Sequence, residues 1–198
     1  MLIDLSRPIE AGMPVYPGDD PVKLAKCRTL EKDHYTAYYW QTGLHAGTHM
    51  DAPMHLLPGG CSMDQMPLER FFAKGILLQD WNAIPETPVP EGAAVLIDMG
   101  TDDLYGDDAY YADHPQISDA LCNYLINSKI ALLGVNAPSP DHIPFPVHKK
   151  LLAAGIPILE NLTNLKALAG KEFRLMAFPL FIAAEGSPVR AVAWIEEK

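Results

Sequence analysis

Apolar positions along this chain come in short runs broken by turn residues, and only a few stretches carry a helical period. Leu2-Ile3-Asp4-Leu5 predicts an opening strand, followed by a loop through Pro8, Gly12, Pro14, Pro17 and Gly18, residue types that punctuate regular structure. The aromatic stretch 35–40 predicts a strand. Gly59-Gly60 predicts a turn, and 67–72 a short helix with Pro67 near its start. Residues 75–81, 93–99, 130–135 and 156–159 are apolar runs of the fully buried strand type. Ser118-Asp119 would cap a helix expected to run to about Asn127, with Leu121, Tyr124 and Leu125 on its inner face. A second helix is expected over 148–154, closed by Gly155. The segment 173–195 alternates strands around a turn at 185–188. Many short strands with two or three helices, and no repeat or linker, define one α/β or α+β domain over residues 1–198 built on a curved sheet.

Composition narrows the function. The chain has 198 residues, 48% of them hydrophobic, and a formal net charge of −10. That charge, with no basic run, argues against a nucleic-acid partner. No apolar stretch is long enough to span a bilayer. The N-terminus lacks the basic and apolar regions of a secretory signal, and the three cysteines, Cys27, Cys61 and Cys122, form no CxxC pair. A cytoplasmic protein with reduced thiols is expected. The stretch 101–113 holds five aspartates but not the spacing of a calcium loop, so it is expected to be a solvated loop.

The chemistry concentrates in His45-Ala46-Gly47-Thr48-His49-Met50-Asp51-Ala52-Pro53-Met54-His55. Three imidazoles and a carboxylate are the side chains of metal binding and proton transfer. A helix would place Asp51 opposite His45 and His49, and Gly47 and Pro53 disfavour one. In an extended chain all four side chains share one parity, but a straight strand would spread them over roughly 33 Å. Bends at Gly47 and Pro53 would let them converge. An extended, bent segment lining a metal pocket is the reading. Glu160, at the end of a buried strand, also needs a partner to offset its desolvation.

The pattern HxGTHxDxPxH over residues 45–55 resembles the signature of the cyclase family of metal-dependent hydrolases, which includes bacterial kynurenine formamidases and isatin hydrolases. Further ordered blocks share the resemblance: Asp4-Leu5-Ser6-x-Pro8-Ile9, Pro14-Val15-Tyr16-Pro17-Gly18-Asp19, Pro138-Ser139, His148 with Ile158-Leu159-Glu160, and Ser187-Pro188-Val189-Arg190-Ala191. It implies a swivelling β/α fold in which strands form an open, barrel-like mixed sheet, assembled as a homodimer or homotetramer. It also implies two divalent metal ions. His45, His49 and Asp51 would hold one, Asp51 would bridge, and His148 and Glu160 would complete the second. His55 would be the acid/base residue. Ligands that are all imidazole or carboxylate suit zinc first and manganese second.

The implied activity is hydrolysis of a small amide, either an aryl formamide such as N-formylkynurenine or a cyclic amide such as isatin. The kynurenine formamidase branch reads Asp-Thr-Pro-Ser where this chain has Asn136-Ala137-Pro138-Ser139, and the segment 141–148 looks shorter here. These departures fall where substrate would be shaped. Tyr38, Tyr39 and Trp40 are candidates for a flat wall against a ring, and Met50, Met54, Met63 and Met66 for a pocket lining or a partner contact. The contrasting reading is a non-catalytic metal-binding assembly module. A structural zinc site is closed by four protein ligands, usually including cysteine, and His55 would have no task in one.

Overall fold

The computed structural model describes residues 1–195. Its strands, in chain order, are β1 (Leu2–Asp4), β2 (Lys23–Arg28), β3 (Ala37–Gln41), β4 (His49–Asp51), β5 (Phe72–Leu78), β6 (Ala94–Ile97), β7 (Leu132–Val135), β8 (Ile158–Glu160), β9 (Phe173–Met176), β10 (Gly186–Pro188) and β11 (Val192–Ile195). The α-helices are α1 (Leu30–Asp33), α2 (Asp108–Ala112), α3 (Asp119–Asn127) and α4 (Pro146–Ala153). Nine strands form one mixed sheet in the order β1-β11-β9-β5-β6-β7-β8-β4-β10, while β2 and β3 form a separate two-stranded ribbon.

Neighbouring pairs among β5, β6, β7 and β8 run parallel, and the flanking strands add antiparallel. Helix α3 lies in the connection between β6 and β7, and α4 in that between β7 and β8. Such crossovers bury parallel strands on both faces, which is why β6 and β7 are buried at every position. Side chains alternate accordingly. Leu96 and Leu132 enter a core with Met50, Leu159, Leu175 and Ala193. Val95, Ile97, Leu133 and Val135 pack with Leu121, Leu125, Leu151 and Leu152 of the helices.

The sheet must curl. β10 and β11 stand seven places apart in the strand order, which in a flat sheet would be roughly 34 Å. The chain from Pro188 to Val192 reaches at most about 14 Å. Only a sheet bent into a half-barrel brings its ends that close, as the expected open barrel requires.

Several expectations need correction. The stretch 67–72 forms a 3-10 turn over Leu68–Phe71 and then enters β5 at Phe72. The aspartate-rich segment is not simply a solvated loop. It carries α2, whose Tyr110 is completely buried, because one apolar ring among acids suffices to anchor a short turn. Strand β2 and helix α1 were not evident, since the Lys/Arg-rich 23–28 lacks a buried-strand pattern. Met50, Met63 and Met66 fill the core and Met54 is exposed, so none of the four lines the cavity beside the motif.

Candidate metal centre

The bend falls where glycine and proline predict it. Gly47 sits at φ +64, a conformation open to glycine, and turns His45 back over β4. Pro53–His55 forms a 3-10 turn that brings His55 round to the same side. Gly60 is required here because a Cβ would lie 2.5 Å from the Pro53 carbonyl, closing the loop beneath His55.

His49 and Asp51 lie two apart on β4, facing one side, and the antiparallel register sets Glu160 of β8 directly opposite His49. Glu160 ends β8, and His148 stands in the first turn of α4. The cluster therefore sits beyond the C-terminal ends of the parallel strands, where open α/β sheets present ligand sites. His49, Asp51, His148 and Glu160 are all buried, and His45 is partly open.

Asp51 divides the cluster. Its Oδ1 lies 2.9 Å from His45 Nδ1 and 3.5 Å from His49 Nε2. Its Oδ2 lies 3.4 Å from His148 Nε2. Glu160 closes the ring, with Oε1 3.1 Å from His148 Nε2 and Oε2 3.2 Å from His49 Nε2. Two groups of candidate donor atoms result, His45/His49/Asp51 and Asp51/His148/Glu160, each with its atoms within 4.8 Å of one another. His55 belongs to neither. Its ring centroid lies 4.3 Å from that of His45 and 6.3 Å from that of His148.

The donor set fits a divalent cation. Asp51 Oδ1 and Glu160 Oε1 are buried against imidazole nitrogens and away from water, and His45 Nε2 and His49 Nε2 are buried without a well-directed hydrogen bond, a costly arrangement for the protein alone. The tautomers agree. His49 Nδ1 donates to the Gly47 carbonyl at 2.8 Å, and His148 Nδ1 donates to Asp141 Oδ1 at 2.6 Å. Since a carbonyl or carboxylate can only accept, Nε2 is in both residues the nitrogen that faces the cluster and offers its lone pair once deprotonated.

Protons stand in for missing positive charge. Burial works against protonation of His45, but its hydrogen bond to Asp51 and the charges of Asp51, Glu160 and Glu185 raise its pKa to about 9. His148 is likewise raised well above the usual imidazole range, the hydrogen bonds to Asp141, Asp51 and Glu160 outweighing burial. Burial alone would raise the Asp51 pKa, yet its hydrogen bonds to His148 and His45 hold it well below the usual carboxylate range. His55 moves the other way, its pKa lowered chiefly by burial.

Asp141 is a residue whose position-setting part sequence reasoning did not assign. Fully buried, its Oδ2 accepts from the backbone N–H of Val147 at 2.6 Å and of His148 at 3.2 Å, while Oδ1 takes His148 Nδ1–H. One carboxylate thus satisfies the start of α4 and orients the imbedded imidazole. An Asp shortly before a helix that opens on Pro146 was the available signal. Asp141→Asn is expected to weaken metal affinity roughly 10–100-fold, measured by chelator competition, with far-UV circular dichroism unchanged.

A cavity of about 230 Å³ opens onto the cluster, larger than the roughly 150 Å³ apolar cavity that accepts benzene. Its walls include Tyr16, Leu56, Tyr105, Tyr111 and Phe145. Tyr38, Tyr39 and Trp40 are not among them. They are 56%, 59% and 40% exposed on the β2–β3 ribbon. The actual wall comes from loops and from α2. Phe145, held at φ 59 before α4, sets its ring 5.5 Å from that of His148. Asn136 is occupied within the scaffold, accepting from Met99 N–H at 2.7 Å and donating to Asp98 at 2.8 Å, while Pro138 and Ser139 reach the cavity.

A curled mixed sheet with a His/carboxylate cluster at its parallel strand ends is a metal-centre architecture. The chain belongs to the Cyclase family, whose model, described as "Putative cyclase", matches residues 3–142. It is 30% identical over 205 residues to a kynurenine formamidase of Salinibacter ruber, covering 96% of each chain. To a kynurenine formamidase of Paracidovorax citrulli it is 28% identical, covering 97% of this chain and 95% of that one. In three dimensions it resembles isatin hydrolase A from Labrenzia aggregata bound to benzyl benzoate, with TM-score 0.87, 25% identity, and coverage of 100% of this chain and 94% of that one. No helix among the described residues is long and apolar enough to cross a membrane.

Proposed function

We propose that this protein is a metal-dependent hydrolase of small amides, using two divalent ions and His55 as its acid/base residue. The observation that carries the reading is the cluster divided by Asp51, with under-satisfied buried atoms in both groups and a fourth imidazole beside them that joins neither group. The names of the relatives, a formamidase and an isatin hydrolase, support amide substrates. His45, His49 and Asp51 hold one ion, Asp51, His148 and Glu160 the other, with zinc the first choice and manganese the second. Such ions supply Lewis acidity, polarising a carbonyl and lowering the pKa of water.

The chain's own residues do the rest. Hydrolysis of an amide requires a proton to leave the attacking water and one to reach the departing nitrogen, and the same proton can serve for both. His55, half-buried and displaced toward neutrality, accepts the first on a ring nitrogen and returns it to the amine. The walls of the cavity hold an aromatic ring and exclude water. An aryl formamide or an aromatic-fused lactam meets these demands, because its nitrogen leaves more readily than that of an aliphatic amide. A non-catalytic module is disfavoured, since a structural site would be closed and not adjoin a cavity. Assembly as a homodimer or homotetramer is part of the same reading, supported by the exposed aromatics of the β2–β3 ribbon.

The test is hydrolysis of formanilide against an aliphatic formamide of similar size by metal-replete protein. Faster cleavage of formanilide, with about two ions per chain by elemental analysis, is expected. Equal rates would remove the aromatic pocket from the proposal, and one ion per chain would remove the two-metal centre.

A further inference from the structure

The proposed amide hydrolysis leaves open which aryl amides this cavity admits, and the lining bears on that question. Among the described residues, no lysine or arginine lines it. Behind its wall stands Arg7, whose guanidinium lies 4.1 Å over the Tyr105 ring and is ion-paired to Asp102. That charge is already matched. Away from the metal cluster, the one charged lining residue is Asp19. It is exposed, its backbone N–H donates to the Tyr16 carbonyl at 3.0 Å, and its carboxylate has no hydrogen-bond or ion-pair partner among the described residues. Beside it, Tyr16 and Tyr111 meet edge to face with centroids 5.8 Å apart.

Resting on the hydrolase reading above, we propose that this site selects uncharged or cationic aryl amides against those bearing a carboxylate, with Asp19 as the specificity-determining residue. A carboxylate carried on the ring would be desolvated against tyrosine, proline and leucine with no cation to pair with, and it would face a like charge at Asp19. An ammonium group at the same place meets the Asp19 carboxylate and the electron-rich faces of Tyr16 and Tyr111. A neutral ring meets neither penalty nor gain. The apolar walls hold it by area and shape alone. Because Asp19 is exposed, its share is screened by salt.

The test compares kcat/KM of the metal-loaded protein for formanilide, 3-formamidobenzoate and 3-(aminomethyl)formanilide at low ionic strength, each corrected for its own rate in alkali. The carboxylate is expected to fall roughly tenfold or more below formanilide, and the ammonium compound to equal or exceed it. In Asp19→Asn the carboxylate-to-formanilide ratio should rise at least about threefold and the ammonium-to-formanilide ratio should fall. A carboxylate substrate as good as formanilide, or ratios unmoved by Asp19→Asn, overturns the proposal. If the protein cleaves none of the three, the hydrolase reading fails instead. Selectivity is then decided by calorimetric binding of the same compounds, where the same order supports it and tight binding of the carboxylate, or binding of none, overturns it.

Discussion

Asp51→Ala is expected to reduce bound metal from about two ions per chain to well below one and to abolish hydrolysis, the largest loss of any single ligand substitution. The reason lies in its two oxygens. Oδ1 faces His45 and His49 and Oδ2 faces His148, so its removal opens both donor groups at once. His148→Ala opens only one, and should retain an ion on His45, His49 and Asp51. Elemental analysis after dialysis, with the isosteric Asp51→Asn as control for packing, reads the difference. Equal metal loss in Asp51→Ala and His148→Ala would contradict a bridging carboxylate.

The same residue ties metal binding to pH. In the metal-free protein His45 is protonated up to about pH 9, chiefly through Asp51 overcoming burial. A folded-state pKa raised above the ordinary value near 6.5 contributes stability that is complete below pH 6.5 and lost as pH rises through 9. The metal-free protein should therefore lose Tm between pH 6.5 and 9. Metal must displace that proton, so affinity should rise over the same window and level off above it. The gap in Tm between loaded and metal-free protein should widen as pH rises. Calorimetry in buffers of different ionisation enthalpy would count the released protons, and none released at pH 7 would contradict this account.

How much of this was legible in the sequence depended on range. Residues 45–55 carried their own geometry, because parity places His49 and Asp51 on one side of a strand and Gly47 supplies the positive φ that folds His45 back. Glu160 was legible only as a buried carboxylate in need of a partner. That its partner is His49 follows from the β4–β8 register, a pairing between distant segments that no local pattern encodes. His148 entered through resemblance alone, since a histidine in a first helical turn has many ordinary uses. Buried runs such as β6 and β7 were found because both faces are covered. The aromatic 38–40 stretch was misplaced for the complementary reason. β-Propensity identifies a strand but not which site it faces, and Tyr38, Tyr39 and Trp40 lie exposed on the β2–β3 ribbon. The true cavity wall was missed because Tyr105 and Tyr111 sit among aspartates, where composition points to solvent, although Tyr110 between them is buried and donates its hydroxyl proton to Asn161 at 2.8 Å.

His55→Ala is expected to keep most of the bound metal while kcat falls roughly 10²–10⁴-fold. The substitution separates chemistry from binding. His55 lies outside both donor groups, on a 3-10 turn whose backbone is held by Met54 N–H to the Cys61 carbonyl at 3.0 Å and Leu57 N–H to the Pro53 carbonyl at 3.0 Å, so the turn survives loss of the side chain. Its ring sits beside His45 and lines the cavity, within reach of a substrate held there. Burial lowers its pKa, so at neutral pH it is a base ready to take a proton, and activity should fall on the acid side as it becomes charged. The acid limb of kcat/KM should disappear in His55→Ala, and KM for formanilide should change far less than kcat because the aromatic walls of the cavity, Tyr16, Tyr105, Tyr111 and Phe145, are untouched. Metal lost in proportion to activity would make His55 a ligand and leave the proton transfer without a carrier. His34 and His142 would not replace it. His34 closes α1 with its backbone in a left-handed conformation, and His142 is stacked against His114 with centroids 3.9 Å apart. Neither lines the cavity.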